Sequence, residues 1–279
     1  MEEYIDLHVH SNASDGTMTP TEVVKLAKES GLSAIALTDH DTVSGIDEAI
    51  EAGRIYGVQI IPGIEISAEY GRGDLHILGL GIDYRDEEFR AKVALCRDSR
   101  DNRNRKMIKK LNEQGFPVTW DIMLKRFGAS SITRAHFAKY LIDEGYVADK
   151  EEAFKKYLNK GCPCYVSREK ISPKEAIEMV LQAGGHPVLA HPLLYKMSLE
   201  QLESVIVLLK SYGLQGIEAI YSLNRPEEDT VLLKIAKRHG LSITGGSDFH
   251  GAIKPDISIG TGKGNLRITK DMCPILFAQ

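Results

Sequence analysis

The first 80 residues alternate short apolar runs with stretches in which apolar positions recur at helical spacing. Residues 33–37 form an apolar run typical of a strand buried on both faces of a sheet. Thr19 and Pro20 favour the start of a helix, and Gly31 favours its end. This alternation predicts a parallel β/α architecture. The predicted strands are 4–7, 33–37, 58–61, 64–70 and 75–82, and a second helix is predicted over 43–56.

The pattern changes after Asp83. Residues 86 to about 161 are charged, helical in pattern and without convincing strands, with helices predicted over 87–114, 134–144 and 150–159. The β/α alternation then returns, with helices predicted over 173–183, 199–212 and 227–239 and strands over 187–190, 216–219 and 242–244. The simplest interpretation is a β/α barrel formed by residues 1–85 and 165–279, interrupted by a helical insert over 86–164.

Composition and charge support this division. The 279 residues are 43% hydrophobic and 27% charged, which excludes a disordered chain and allows one large domain with an insertion. The net charge of −4 conceals an asymmetry, because residues 86–170 hold 19 Lys and Arg against 13 Asp and Glu, and the remainder holds 16 against 26. An acidic body suits metal cations, and a basic insert suits an anionic substrate.

The cysteines and the N-terminal sequence indicate in which cellular compartment the protein is expected. The four cysteines make no CxxC pair, so free thiols are expected. The chain begins without the positive and apolar regions of a signal peptide, and it lacks a run of about 20 apolar residues. We therefore expect a cytoplasmic protein with no membrane association.

Six of the nine histidines lie at or beside the ends of predicted strands, where barrel enzymes carry their chemistry. His8 and His10 are two positions apart on an extended segment, so both can face one ion. Imidazole with carboxylate suits Mn, Fe or Zn rather than Ca. Nine donors exceed the three or four that one ion needs, which predicts two or three divalent ions with a bridging carboxylate. The donors are His8, His10, Asp15, His40, Glu65, His76, His191, Asp248 and His250.

These residues lie in segments that resemble the PHP family, the polymerase and histidinol phosphatase superfamily of metal-dependent phosphoesterases. The segments are DLHVHSNASDG at 6–16, ALTDHD at 36–41, GIEIS at 63–67, DLHILGLG at 74–81, LAHP at 189–192 and GGSDFH at 245–250. The resemblance implies an α/β fold, a distorted (β/α)7 TIM-like barrel, with a trinuclear metal site. It assigns His8, His10, Glu65 and Asp248 to one ion, Glu65, His76 and His191 to a second, and Asp15, His40 and His250 to a third.

The insert resembles the branch of the family that releases phosphate from nucleoside 3′,5′-bisphosphates, some members of which shorten RNA from the 5′ end. The similar segments are SITRAHF at 131–137 and LNKG at 158–161. In that branch the insert covers the metal site and an Arg-x-His pair binds a substrate phosphate, which here implies Arg134 and His136, with Lys160 as a further contact. A guanidinium matches phosphate geometry well. The alternative is that Arg134 and His136 are only surface residues of a helix.

In the long helix predicted over 87–114, the seven basic residues between positions 97 and 110 do not form one stripe. They are Arg97, Arg100, Arg103, Arg105, Lys106, Lys109 and Lys110. Asp98 and Asp101 offer local partners, so a solvated, salt-bridged helix is favoured over an RNA track. The scattered aromatics of the insert do not form a base-stacking platform. The expected partner is a nucleotide or a short oligonucleotide, with no long duplex.

The function expected from this resemblance is hydrolysis of a nucleotide phosphate monoester, with limited 5′-end trimming of short RNA. The nucleophile is expected to be a metal-bound hydroxide positioned by Glu65, Asp248 and His191, because the ligand set contains no recognisable Ser or Cys nucleophile. Two alternatives stay open. One is a histidinol-phosphate phosphatase, and the other is a non-catalytic metal-binding or nucleotide-sensing module.

Overall fold

The computed structural model describes residues 2–71, 73–128, 131–167 and 170–277. Within these residues, seven strands follow one another in chain order around one sheet. The strands are β1 (Ile5–Val9), β2 (Ala34–Leu37), β3 (Gln59–Tyr70), β4 (Gly73–Leu80), β5 (His186–Leu189), β6 (Gly216–Tyr221) and β7 (Ser242–Gly246). The helices in the described part are α1 (Pro20–Glu29), α2 (Ile46–Tyr56), α3 (Glu87–Glu113), α4 (Trp120–Phe127), α5 (Arg134–Asp143), α6 (Lys150–Ala153), α7 (Pro173–Gln182), α8 (Leu199–Ser211) and α9 (Pro226–His239).

The first and last strands meet and nearly close the sheet into a barrel. Val9 pairs in parallel with Phe249, just beyond β7, and the amide of Asp248 donates to the carbonyl of His8 at 2.9 Å. Toward the other end of β1, the amide of Ile5 donates to the carbonyl of Ile268 at 2.9 Å. The expectation of a distorted seven-stranded β/α barrel with a helical insert is confirmed.

The prediction of uniformly parallel strands is wrong at β4, which runs antiparallel to both β3 and β5. The two strands predicted over 58–61 and 64–70 are one continuous strand, β3, and its last residue, Tyr70, pairs with Gly73, the first residue of β4. A parallel connection needs a crossover of a dozen or more residues, so a link this short requires a hairpin.

Two hydrophobic cores matter for the site. Ile5, Leu7 and Leu78 belong to a cluster formed by inward-facing residues of the barrel strands. The insert has its own core, which includes Met107, Phe137 and residues up to Cys164. The division of the chain at 86 and 164 stays a prediction, because α3 contributes to both parts.

The insert differs from its predicted pattern in two places. Helix α4 was not predicted, because its eight residues form too short an amphipathic stretch to stand out among charged neighbours. The helix predicted over 150–159 begins as α6 and continues as a π-helical turn, Phe154–Leu158. All four cysteines are free thiols. In the part of the chain described, no helix is both long and apolar enough to cross a membrane.

Candidate metal centre

The nine donor residues predicted from the sequence converge at one end of the barrel. Each comes from a strand or from the loop that follows it, and seven of the nine are buried, whereas His40 and His76 are partly exposed. His76 lies in the first half of β4 and not at the end of a strand. Since β4 runs antiparallel to its neighbours, its first half reaches the same end of the barrel as the C-termini of the parallel strands.

Glu65 lies at the centre of the cluster, and its two oxygens face different imidazoles. Oε1 is 2.6 Å from Nδ1 of His76 and 2.9 Å from Nε2 of His191. Oε2 is 3.2 Å from Nε2 of His10 and 3.1 Å from Nδ1 of His40. A carboxylate between two sets of donors has the arrangement of a bridging ligand.

The remaining carboxylates complete the other sides of the cluster. Asp248 Oδ1 lies 3.4 Å from Nε2 of His10 and 3.3 Å from Nδ1 of His250. Asp15 Oδ1 lies 3.3 Å from Nε2 of His250, and Asp15 Oδ2 lies 3.9 Å from Nε2 of His40. Four groups of three or more donors have their ligand atoms within 4.8 Å of one another. They are His10, Asp15, His40 and His250; His8, Glu65 and His191; His8, His10 and Asp248; and His40, Glu65 and His76.

The donor set fits divalent metal ions. Several buried imidazole nitrogens, among them both nitrogens of His10 and Nε2 of His8, have no hydrogen-bond partner in the described residues. Buried polar atoms are almost always paired, so unpaired nitrogens aimed at carboxylates need another partner. Imidazole and carboxylate together suit Mn, Fe or Zn. The cluster is therefore able to bind metal.

Burial and the charges of neighbouring side chains shift the pKa values of several residues in the cluster. Burial lowers the pKa of His10, but Asp248 and Glu65 outweigh it and raise the pKa to about 9. Burial dominates at His40, whose pKa falls to about 3. Burial raises the pKa of Glu65, but the surrounding imidazoles outweigh it and hold that pKa well below its usual range. The lowered pKa of Glu65 keeps its carboxylate ionised, as a metal ligand must be.

Unusual backbone conformations occur at the cluster. Asp41, His191 and Asp248 are non-glycine residues with positive φ, at 52°, 26° and 56°. Such conformations cost free energy and persist where surrounding contacts hold them. The amide of His191 donates to Oε2 of Glu218 at 2.7 Å, and Asp248 Oδ2 accepts from the hydroxyl of Tyr221 at 2.7 Å.

Glu218 and Tyr221 on β6, and Lys254 beyond β7, contact candidate ligands but were not predicted from the sequence. Lys254 Nζ lies 2.5 Å from Oδ2 of Asp248. The available signal was a single acidic residue inside the apolar run of β6, where Glu218 is fully buried. A buried carboxylate needs a partner, and that requirement could have identified Glu218.

A cavity of about 180 Å³ opens beside the cluster and separates it from the insert. Asp15, His40 and His76 lie on its metal-ligating side. Four cationic side chains also line it, namely Arg100, Arg103, Arg134 and Lys170. An anionic group that reached the cluster would therefore enter between imidazoles and cations.

The three predicted substrate contacts occupy different positions. Arg134, the first residue of α5, lines the cavity and stacks over Tyr165 with 5.7 Å from its guanidinium carbon to the ring centroid. His136 is buried, and its Nδ1 accepts from the amide of Thr133 at 3.0 Å as part of the helix cap. Burial lowers the pKa of His136 to about 4. Lys160 is exposed and lies outside the described lining of this cavity.

The expectation of a wholly solvated α3 is wrong at two residues. Arg100 and Arg103 are only 6% and 7% exposed and line the cavity. Arg100 forms a buried ion pair with Asp41, next to His40. Arg103 Nε donates to Oδ1 of Asn104 at 2.8 Å. Their burial could not be inferred from helical periodicity, because it depends on α3 lying across the mouth of the barrel.

A β/α barrel with buried imidazoles and carboxylates at one end of its strands defines a metal-dependent hydrolase. The PHP domain family model matches residues 6–251, and the chain belongs to the PHP domain family. Similar proteins include the 3′,5′-nucleoside bisphosphate phosphatase of Chromobacterium violaceum, 37% identical over 97% of this chain and 93% of its own length. The 5′-3′ exoribonuclease of Haemophilus influenzae is 38% identical over 90% of this chain and 91% of its own length.

A solved structure from Bifidobacterium adolescentis, inferred to be that of a metal-dependent phosphoesterase, superposes with a TM-score of 0.84. It is 34% identical, with 97% of this chain and 94% of that chain covered. The chain is a metal-dependent phosphoesterase with relatives that act on nucleotides and RNA.

Proposed function

We propose that this protein hydrolyses a nucleoside 3′,5′-bisphosphate to the nucleoside 5′-monophosphate and phosphate, and that it also trims short RNA oligonucleotides from the 5′ end. The observation that carries the proposal is the cavity that places Arg134 and other cations opposite His40 and His76. A substrate with two phosphates fits a site with two kinds of phosphate-binding group. The names of the two relatives agree with this substrate class.

The nine donor residues would hold two or three divalent ions, Mn²⁺, Fe²⁺ or Zn²⁺. In the proposed grouping, the four donors His8, His10, Glu65 and Asp248 form one set. Glu65, His76 and His191 form a second set that shares the central carboxylate. Asp15, His40 and His250 form the third. Bound ions of this kind lower the pKa of water and screen the charge of phosphate oxygens.

Glu65, Asp248 and His191 position the attacking water beside the phosphorus atom. Nε2 of His191 lies 2.9 Å from Oε1 of Glu65, and Oδ1 of Asp248 lies 3.7 Å from Nε2 of His8, so the three side chains belong to one cluster of donors. Their burial keeps bulk water away from the reacting centre.

Arg134 binds the phosphate that is not cleaved, with His136 and Lys160 as the further contacts inferred from the family resemblance. A guanidinium can donate two parallel hydrogen bonds to a phosphate, which fixes orientation as well as affinity. The described residues give Arg134 no ion-pair partner, although Asp74 in the same cavity is paired with Lys170. The insert over 86–164 thus covers the site and supplies its substrate contacts.

A small cavity beside a buried cluster suits a mononucleotide or the end of a single strand better than a long duplex. Free cysteines are typical of a reducing compartment, which supports a cytoplasmic location.

The test is phosphate release by Mn²⁺-loaded protein from adenosine 3′,5′-bisphosphate, 5′-AMP and histidinol phosphate, with Asp248→Ala as the matched inactive control. We expect release from the bisphosphate, with 5′-AMP as the second product, at a kcat/KM far above that for the other two. Equal kcat/KM on histidinol phosphate would favour the alternative phosphatase. Failure to release phosphate from any of the three would favour a non-catalytic module.

A further inference from the structure

Strand β6 supplies none of the nine candidate ligands, yet two of its side chains contact three of them. Glu218 and Tyr221 are 0% and 1% exposed. Glu218 contacts His8 and His191, and Tyr221 contacts Asp248. These three ligands come from three different parts of the chain, so β6 is a common support for them.

The contact with Glu218 gives the two ring nitrogens of His8 different roles: Nδ1 contacts Glu218, and Nε2 faces the cluster. Oε1 of Glu218 lies 2.9 Å from Nδ1 of His8. Because an ionised carboxylate only accepts hydrogen bonds, the proton of the neutral ring lies on Nδ1. Nε2 then carries a lone pair, has no hydrogen-bond partner in the described part of the chain, and lies 3.4 Å from Oε2 of Glu65.

The second oxygen of Glu218 holds a strained turn. Oε2 accepts from the amide of His191 at 2.7 Å, and His191 has a φ of 26°. One carboxylate therefore fixes the ring of His8 and the backbone of His191, which belong to different proposed ligand sets.

The hydrogen bond from Tyr221 likewise gives the two carboxylate oxygens of Asp248 different roles. Oδ2 accepts from the Tyr221 hydroxyl at 2.7 Å and lies 2.5 Å from Nζ of Lys254. Oδ1 faces the imidazoles, at 3.4 Å from Nε2 of His10 and 3.7 Å from Nε2 of His8. One oxygen is thus held by the protein, and the other points into the cluster.

A β-bulge makes both contacts possible. In a regular strand, residues three positions apart point to opposite faces, so Glu218 and Tyr221 could not both face the cluster. Glu218 pairs with Thr244 and Ile220 pairs with Gly245, so β6 has one more residue than β7 at this point. An extra residue re-aims the side chains that follow it, and such bulges occur beside active sites.

We propose that Glu218 and Tyr221 are positioning residues that determine which atom of His8 and which oxygen of Asp248 face the metal ions. The inference rests on the proposed metal site and adds two residues that act through its ligands. Groups that orient metal ligands by hydrogen bonding commonly change metal affinity 10- to 100-fold when they are replaced.

The test compares Glu218→Gln and Tyr221→Phe with wild type by titrating chelator-treated protein with Zn²⁺ in a calorimeter. Glutamine has one acceptor oxygen in place of the two that contact His8 and His191, and its NH2 group can only donate; phenylalanine cannot donate to Asp248. We expect each variant to bind Zn²⁺ roughly 10- to 100-fold more weakly than wild type. Glu203→Gln and Tyr4→Phe are matched controls, because these side chains make the same kinds of hydrogen bond outside the cluster, and we expect wild-type affinity from both.

A second measurement does not depend on the variants being folded. Nitrogen NMR of Zn²⁺-loaded wild type should show His8 bound through Nε2 with its proton on Nδ1. Binding through Nδ1, or folded variants with wild-type affinity and stoichiometry, would overturn the inference. Wild type that binds no divalent ion would instead overturn the proposed function, so the two failures are distinguishable.

Discussion

At the scale of single residues, the site places buried carboxylates among imidazoles and lets each neutralise the other. Glu65 is 1% exposed and has four histidine rings within 3.2 Å of its oxygens. Such a concentration of ionisable groups is costly to bury unless the groups are paired or bind metal. The contacts of Arg134 and His136 at its edge lead to two predictions.

Replacing Arg134 by Ala should raise the KM for adenosine 3′,5′-bisphosphate and leave kcat/KM for a simple aryl phosphate nearly unchanged. Losing hydrogen bonds to a charged group costs about 1.5–3 kcal/mol, roughly 10- to 100-fold in binding. Steady-state kinetics on both substrates measure this. Lys139→Ala is the matched control: Lys139 lies on the same helix as Arg134 and is paired with Asp143 at 2.9 Å, so we expect wild-type kinetics from it. Equal losses on both substrates for Arg134→Ala would contradict a role in binding the second phosphate.

His136 should make the protein less stable as the pH falls from about 6.5 to about 4. Burial lowers its pKa to about 4 in the folded state, so the unfolded chain takes up the proton first. The loss is roughly 3 kcal/mol from this residue alone. In His136→Gln the side chain can still accept from the amide of Thr133, and its free energy of unfolding should vary less over this range. Urea unfolding at several pH values measures the difference, and parallel curves would contradict the prediction.

The nine donors could be predicted because the His-x-His pair and the strand-end positions of most of them are visible in the sequence. Glu218 could have been identified as a buried carboxylate that needs a partner, but the contact of Tyr221 with Asp248 could not, because the bulge that turns Tyr221 toward the cluster has no residue-type signal. The positions of Arg134 and His136 depended on where α5 starts, and the Thr133 cap fixes that start.

At the scale of elements, α3 joins the barrel to the insert. Phe89 and Val93 in its first turns pack in the same cluster as α7, whereas Met107 and Leu111 belong to the core of the insert. Between these ends, Arg100 pairs with Asp41, whose Oδ1 also accepts from the amide of Ser67 at 3.0 Å. The 27 residues of α3 could be predicted as a helix from the sequence, but the packing of the middle turns of α3 could not.

Breaking the pair between Arg100 and Asp41 should strongly destabilise the protein. Removing one partner of a buried ion pair typically costs about 3–5 kcal/mol, because the other charge stays buried. Arg100→Met and Asp41→Asn should each lower the free energy of unfolding in urea. The double variant should lose less than the sum of the two, because no uncompensated charge remains. Strictly additive losses would show that the two residues do not interact.

The direction of β4, antiparallel to β3 and β5, could not be predicted from the sequence pattern. Its apolar pattern is the same for parallel and antiparallel strands, so periodicity could not reveal direction. The short connection from Tyr70 to Gly73 carried that information, and it places His76 at the catalytic end.

At the scale of the whole molecule, the charge asymmetry of the sequence becomes an arrangement in space. The acidic barrel presents the metal-ligating cluster, and the basic insert faces it with Arg100, Arg103 and Arg134 across one cavity. The charges of the two segments can be read from the sequence, and the boundaries between the segments stay a prediction. The sequence could not predict that buried arginines of α3 reach the cavity, since this depends on how the insert lies across the barrel.

The central claim is that the converged donors hold divalent ions that hydrolysis requires. Its most direct test is phosphate release from adenosine 3′,5′-bisphosphate by chelator-treated protein, before and after Mn²⁺ is added. We expect almost no release before addition and full recovery after it, with no recovery in Glu65→Ala, which lacks the central carboxylate. Unchanged release by wild type in which elemental analysis finds no metal would contradict the claim.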